Sequence, residues 1–513
     1  MAEDTWQPAR LIPTSGINGP EEQETRATSA LLAVLPVVRD FGLGLFRQFG
    51  AISGAMETFI EVPLKTLDER TIRPDGLVQI TRGQRQWTAL IEVKTGANDL
   101  AREQIENYLD LARDNGFDAV VTISNQLAPA LGVHPVDVDK RKLRKVALHH
   151  VSWAEVVSAA VVQRVHAGVS DPEQAWILAE LIRYLQHPRS GALDFSDMGG
   201  SWVPVREAIS SGTLRPTDKG LADVASRWDQ LLRFAALRLE RELGSGVQVA
   251  LSRKEQTDAT FRLSSLGADL VARGCLGGSL RIPNTVGDLS IEADLRTNRC
   301  TISVDVAAPE DGRSLTRVNW LLRQLNDAPP AVRVDAFAHM ARTSTSELLS
   351  TLRENPAALM SDPKIDLRRF RISAVSPVGA KRGTGRGSFI DSVVGAIDGF
   401  YETVLQGLRP WVAKAPQLPK SRSAVADAGI DTTVLPDEQL PETDIVAAGS
   451  SDRPHVAEYH GPEHLDRSTV IPTQGEPPVP QEAMVSWGSQ QEHLEQERQE
   501  GLPAQGDNAP VPD

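Results

Sequence analysis

Early in the chain the apolar positions change period several times. Leu31, Leu35, Val38, Phe41 and Leu45 recur at helical spacing in a pattern that opens near Glu21. Pro36 is expected to kink this helix, and the glycines near its end to weaken it. Thr58–Val62 predicts a short strand, and Asp75–Ile80 a second one after the turn-forming Arg73-Pro74. Trp87–Lys94 predicts a third, because Ala89, Ile91 and Val93 alternate with Leu90 and Glu92. The turn Thr95-Gly96-Ala97-Asn98 leads into a helix over about Asp99–Asn115, with Asn98 or Asp99 as its expected cap and Gly116 as its end. Ala119–Ile123 and Val146–Val151 predict two more strands. Ser152 with Glu155 three residues on is a capping box opening the next helix. The step from Trp87 to Ile123 is a strand-helix-strand crossover, so those strands are expected to be parallel. A preceding antiparallel hairpin would make the sheet mixed.

Further along, Asp171-Pro172-Glu173 starts a helix that carries Leu178, Leu181, Ile182 and Leu185, and Ala222–Leu243 is a long amphipathic helix. Strands are expected at 247–250, 259–263, 289–293 and 301–304, then at 332–337 and 370–375. Helices are expected at about 314–326, 344–353 and 388–409. These patterns divide the chain into a flexible N-terminus (1–19), an α/β domain with a central mixed sheet (20–168), a helical region (169–245), an α+β domain (246–411) and a tail (412–513). The tail is rich in Pro, Glu, Gln and Ser and poor in aromatics, so burial cannot offset its ordering entropy and it is expected to be disordered.

Composition alters this picture in one respect. The net charge of -14 argues against a nucleic-acid partner. From Lys414 onward, however, there are 6 Lys/Arg and 18 Asp/Glu, a net of -12, which leaves -2 for the rest of the 513 residues. The acidity belongs to the tail, and the remainder is compatible with binding a polyanion. Two cysteines, Cys275 and Cys300, are too few for a disulfide scaffold or a Cys-rich zinc site. The first residues lack the basic start and apolar run of a signal peptide, and no apolar run is long enough to span a membrane. A cytoplasmic protein without membrane partners is expected; protein partners and homodimerisation are not indicated.

The candidate chemistry lies in Arg73-Pro74-Asp75-Gly76 and Leu90-Ile91-Glu92-Val93-Lys94-Thr95-Gly96. Alternation puts Glu92 and Lys94 on one face of a strand, about 6.6 Å apart along it. A neighbouring strand would bring Asp75 beside Glu92. Two facing carboxylates repel in a low dielectric, and a divalent cation resolves the conflict. Hard oxygen ligands suit Mg²⁺ or Mn²⁺. A Glu-x-Lys triplet by itself is common at solvated strand faces. The apolar flanks Leu90, Ile91 and Val93 mark this one as a central strand, ending where open α/β sheets bind ligands.

Pro74-Asp75 followed by Glu92-Val93-Lys94 resembles the signature of the PD-(D/E)xK nuclease superfamily. The resemblance covers roughly residues 20–165. It implies a restriction-endonuclease-like α/β core and metal-dependent hydrolysis of DNA phosphodiester bonds, with RNA as the alternative substrate. It implies Asp75 and Glu92 as metal ligands, joined by the Val93 carbonyl, and Lys94 as the catalytic lysine. Gln104 and Tyr108 resemble the family's Gln-x-x-x-Tyr element on the following helix, where residues four apart share a face. Glu24 is the position matched to a carboxylate from the first helix, with Glu21 and Glu22 as alternatives. A non-catalytic nucleic-acid-binding or stress-response protein retaining such a fold is the competing expectation.

Other signals carry less. Glu61 is a secondary carboxylate, as readily a solvated edge residue, and Asp68 and Glu69 belong to a loop. His149-His150 points to opposite faces of a strand and is expected to be structural. Lys140–Lys145 and the flexible stretch Lys381–Gly387 are basic runs suited to phosphates or to plain solvation; the latter lacks the spacing of a nucleotide-binding loop.

Overall fold

The computed structural model describes residues 11–415 apart from 13–15, 18, 68, 129–132, 340–342, 361, 363 and 414. The expectation of a disordered tail therefore falls outside the described residues, as does Asp68. The N-terminal segment is not uniformly free: the Leu11 amide donates to Glu180, and Arg183 donates to the Ile12 carbonyl.

The architecture is mixed α/β with two large sheets. Helices α1 (Pro20–Val37) and α2 (Arg39–Arg47) come first, bent by 107° at the break that follows Pro36. No single helix among the described residues is long and apolar enough to cross a membrane. Strand β1 (Ala55–Ile60) is followed by a small hairpin, β2 (Leu64–Lys65) and β3 (Thr71–Ile72), then by β4 (Gly76–Arg82) and β5 (Arg85–Val93). Helix α3 (Arg102–Asp114), β6 (Ala119–Ser124), β7 (Ala147–Ser152) and α4 (Trp153–Val162) complete this part, and α5 (Pro172–Gln186) packs beside it. The five-stranded sheet runs β1-β4-β5-β6-β7. Pairing is antiparallel from β1 to β5 and parallel from β5 to β7, so the sheet is mixed as the pattern predicts.

Alternation along β5 splits its side chains between two apolar layers. Ala89, Ile91 and Val93 face α1, α2, α4 and α5, whereas Leu90 faces α3. Glu92 shares the Leu90 side. The capping box of Ser152 and Glu155 is present at α4, and Asp171 caps α5. The expected cap of α3 is not: the helix starts later, after Ala101, without a side-chain cap.

Helices α6 (Trp202–Ser210) and α7 (Gly220–Leu243) lead to the second sheet. Its elements are β8 (Gln248–Val249), α8 (Arg253–Thr257), α9 (Ala259–Arg273), β9 (Cys275–Arg281), β10 (Leu289–Asp294) and β11 (Arg299–Ala307). They continue with α10 (Ser314–Gln324), β12 (Arg333–Ala338), β13 (Ser344–Leu348), α11 (Leu349–Glu354), β14 (Leu367–Pro377) and α12 (Phe389–Thr403). The seven strands run β13-β12-β14-β11-β10-β9-β8, all neighbours antiparallel.

Two elements differ from the sequence pattern. Residues 259–263 form the start of helix α9, not a strand. Asp258 caps it at the Phe261 amide, Leu266 and Leu270 continue an i, i+4 row into the core, and Gly274 ends it at φ 70°. Those signals outweigh the strand preference of Thr260 and Phe261. Residues 344–348 form strand β13, not the first turns of a helix, because the β12 edge offers a pairing partner that no local pattern reveals.

Candidate active site

The end of β5 brings together residues far apart in sequence. Gly76 pairs with Ile91, so Asp75 lies beside the last residues of β5, and its Oδ2 accepts the Val93 amide at 2.7 Å. Glu92 is fully buried. The Lys94 ammonium lies 2.7 Å from Glu92 Oε1 and 3.0 Å from Glu24 Oε1. The Lys94 ammonium serves Glu92 Oε1 and the Tyr108 hydroxyl borders the same carboxylate, while Glu92 Oε2, like Glu24 Oε2, is buried without a hydrogen bond of ordinary geometry. Burial, and then the Asp75 carboxylate, push the Glu92 pKa up from 4.5 to about 8, against the pull of Lys94. At Lys94 burial favours the neutral amine, but Glu92 and Glu24 outweigh it and hold the ammonium above its ordinary value.

Of the three acidic residues on the first helix, Glu24 reaches the site. Glu21 is exposed, and Glu22 pairs with Arg26 at 2.6 Å. Gln104 and Tyr108 share one face of α3, with Gln104 Nε2 3.3 Å from the Tyr108 hydroxyl. Burial first, and the charge of Glu92 second, raise the Tyr108 phenol above its ordinary range. Tyr108 therefore roofs Glu92 on the α3 side. Glu61 follows β1 and is exposed, and Glu69 lies exposed in the β2–β3 turn.

Several neighbours carry no motif and emerge only from the fold. The Trp153 indole donates to the Lys94 carbonyl at 2.9 Å, and the Lys94 amide donates to Ile123 at 2.8 Å. Asn125 Nδ2 donates to the carbonyls of both Gly96 and Gly191, tying the turn after Lys94 to the segment after α5. Gly191 has φ 76°, and a Cβ there would stand 2.5 Å from Gln23 and 2.7 Å from Thr95. Thr122 pairs with Glu92 across the parallel β5–β6 register and with His150 across β6–β7. Only that register could have flagged it.

The histidines are structural. His149 stacks on Phe49 with ring centroids 4.8 Å apart. His150 Nε2 must carry a proton to donate to the Gln126 carbonyl at 2.7 Å, so its Nδ1 accepts from the Thr122 hydroxyl at 2.8 Å. His134 Nδ1 accepts the Val136 amide, which leaves its Nε2–H to donate to Thr122 at 2.8 Å. Burial pushes both His134 and His150 down to about 4, so both are neutral.

One cation of each basic run is paired, and so are three arginines on β14. Lys142 pairs with Asp110, Arg382 with Asp197, Arg368 with Asp366, and Arg369 and Arg371 with Asp305. The Lys381–Gly387 stretch is pinned, not loose, by bridges from Gly383 to Asp197 and from Lys381 to Ser388.

Among the described residues, no three His, Cys, Asp or Glu side chains stand grouped to hold a metal ion by themselves. The donor chemistry at the end of β5 nevertheless suits a hard cation. Asp75, Glu92 and the Val93 carbonyl offer oxygen alone, and two neighbouring carboxylates, one of them buried, favour a cation between them. No protein-family model and no curated protein matches the chain.

Proposed function

We propose that this chain is a Mg²⁺- or Mn²⁺-dependent hydrolase of DNA phosphodiester bonds, built on a restriction-endonuclease-like core. One observation carries the reading: a fully buried glutamate lies against a second carboxylate, Asp75, with the Lys94 ammonium beside it at the end of a central strand. A solvated surface pair would not be buried.

Asp75, Glu92 and the Val93 carbonyl hold the cation in this reading. A bound divalent ion there would acidify a water and neutralise phosphoryl charge. The water oxygen bonds to phosphorus as the bond to the leaving oxygen breaks, and that oxygen then takes up a proton. Lys94 supplies a fixed positive charge for the phosphoryl oxygens. Glu24 and Trp153 orient Lys94, the first through its ammonium and the second through its carbonyl. Gln104 and Tyr108 support Glu92 from α3.

The test is cleavage of linear, circular and single-stranded DNA, and of RNA, with Mg²⁺ or Mn²⁺, alongside calorimetric titration of the ion. Wild-type protein that neither binds a divalent ion nor cuts any of these would refute the reading. The competing reading is a nucleic-acid-binding module without catalysis. Binding of DNA without metal uptake would support it.

A further inference from the structure

The Lys94 ammonium already stands among oxygens that the proposed site would offer a metal. It lies 2.7 Å from Glu92 Oε1, 3.1 Å from the Val93 carbonyl oxygen and 3.0 Å from Glu24 Oε1. The first two belong to the proposed ligand set. Glu92 lies in the protein interior beside a second carboxylate, and the Lys94 ammonium is the cation in contact with it. An ammonium and a divalent cation cannot share the same two oxygens, since like charges at contact distance repel strongly in a buried site.

We infer that Lys94 is the resident cation of the metal-free site, and that it yields Glu92 and the Val93 carbonyl when a divalent ion binds while keeping its hold on Glu24. The inference rests on the metal-site reading above. Glu24 is suited to the second half of it: Oε1 already accepts Lys94, and Oε2 is buried with no donor, so the carboxylate has room for a second bond from the displaced ammonium. Glu24 is then a positioning residue for Lys94 rather than a metal ligand. The exchange also has a functional consequence. Lys94 is locked against Glu92 until the ion arrives, so the catalytic charge is released toward substrate only in the loaded site.

The test uses the full chain and Mn²⁺ as the probe, with wild type, Lys94→Met and Glu24→Gln titrated calorimetrically and melted without metal. Removing a competing cation at contact distance should tighten Mn²⁺ by about tenfold or more in Lys94→Met, and should lower the melting temperature of the metal-free variant. Glu24→Gln should change Mn²⁺ affinity by less than about threefold, because it loses the lysine anchor and not a ligand. Equal or weaker Mn²⁺ binding by Lys94→Met overturns the exchange, and a tenfold loss in Glu24→Gln makes Glu24 a ligand and overturns its assigned role. Should Lys94→Met fail to fold, a crystal structure of the wild type with Mn²⁺ decides: an ammonium still within hydrogen-bond distance of Glu92 Oε1 overturns the inference. Wild type that takes up no Mn²⁺ removes the metal reading and this inference together. Binding by wild type with an unaltered affinity in Lys94→Met removes this inference alone.

Discussion

Glu92 on the five-stranded sheet and Asp305 on the seven-stranded sheet are both strand carboxylates beside cations, and they are built in opposite ways. Asp305 is half-exposed on β11, and both its oxygens accept guanidinium hydrogen bonds, Oδ1 from Arg371 at 2.7 Å and Oδ2 from Arg371 at 3.0 Å and from Arg369. Burial works against its charge, but the two arginines outweigh burial and hold its pKa below the ordinary value. Glu92 has no solvent, a second carboxylate nearby and one ammonium that it shares with Glu24. The first arrangement is complete as it stands. The second is electrostatically unfinished, which is the condition of a site that awaits a ligand.

The largest expected effect comes from removing the unfinished group. Asp75→Ala or Glu92→Ala should abolish Mn²⁺ binding and metal-dependent cleavage, as calorimetry and a gel assay would show. Lys94→Ala should slow cleavage by about a hundredfold, a loss of roughly 3 kcal/mol of transition-state stabilisation. Cleavage that persists in Asp75→Ala would show that the acidic pair is not the site.

The next effect is a pH dependence. Glu92 has a folded pKa of about 8 against an ordinary 4.5, so the folded state holds a proton that the unfolded chain releases. Its contribution is fully present below pH 4.5 and is lost as pH rises through about 8. Metal-free wild type should therefore lose roughly 2–4 kcal/mol between pH 5 and 9 relative to Glu92→Gln. Denaturant melts at the two pH values measure it, and parallel curves for the two proteins would show that Glu92 ionises normally. Mn²⁺ affinity should rise over the same range, since the ion requires the charged form.

A smaller effect sharpens the geometry. Gly191→Ala places a Cβ against Gln23 and Thr95 at φ 76°. It should destabilise the fold by about 1–3 kcal/mol and reduce cleavage more than Gln23→Ala does, because the turn after Lys94 must shift. Unchanged melting and activity would show that this segment does not brace the site. The smallest effect is at the satisfied pair: Asp305→Ala should cost no more than about 1 kcal/mol, because its partners are solvated, and should leave Mn²⁺ binding and cleavage untouched. A loss of cleavage there would break the contrast between the two sheets.

The sequence by itself determined the elements with strong local rules. The period of Ala89, Ile91 and Val93 marked β5, Ser152 with Glu155 marked the start of α4, and Asp171-Pro172 that of α5. It also made Asp75, Glu92 and Lys94 neighbours in expectation, because alternation along a strand and pairing with the strand before it follow from backbone geometry alone. Tertiary structure decided what local rules cannot reach. Partner availability at the β12 edge turned residues 344–348 into a strand, whereas the helix at 259–263 was legible locally in the Asp258 cap and the Leu266 and Leu270 row, which the strand preference of Thr260 and Phe261 obscured. The choice of Glu24 over Glu21 and Glu22 depended on which face of α1 meets β5, and the bracing by Asn125, Trp153 and Gly191 on how the end of β6, the start of α4 and the segment after α5 come together. Whether a carboxylate is solvated or left with orphaned oxygens depends on everything packed around it. Glu92 stands on a strand apolar on both faces and Asp305 on one that alternates, a difference visible in the sequence, while the partners that satisfy Asp305 and crowd Glu92 came only with the fold.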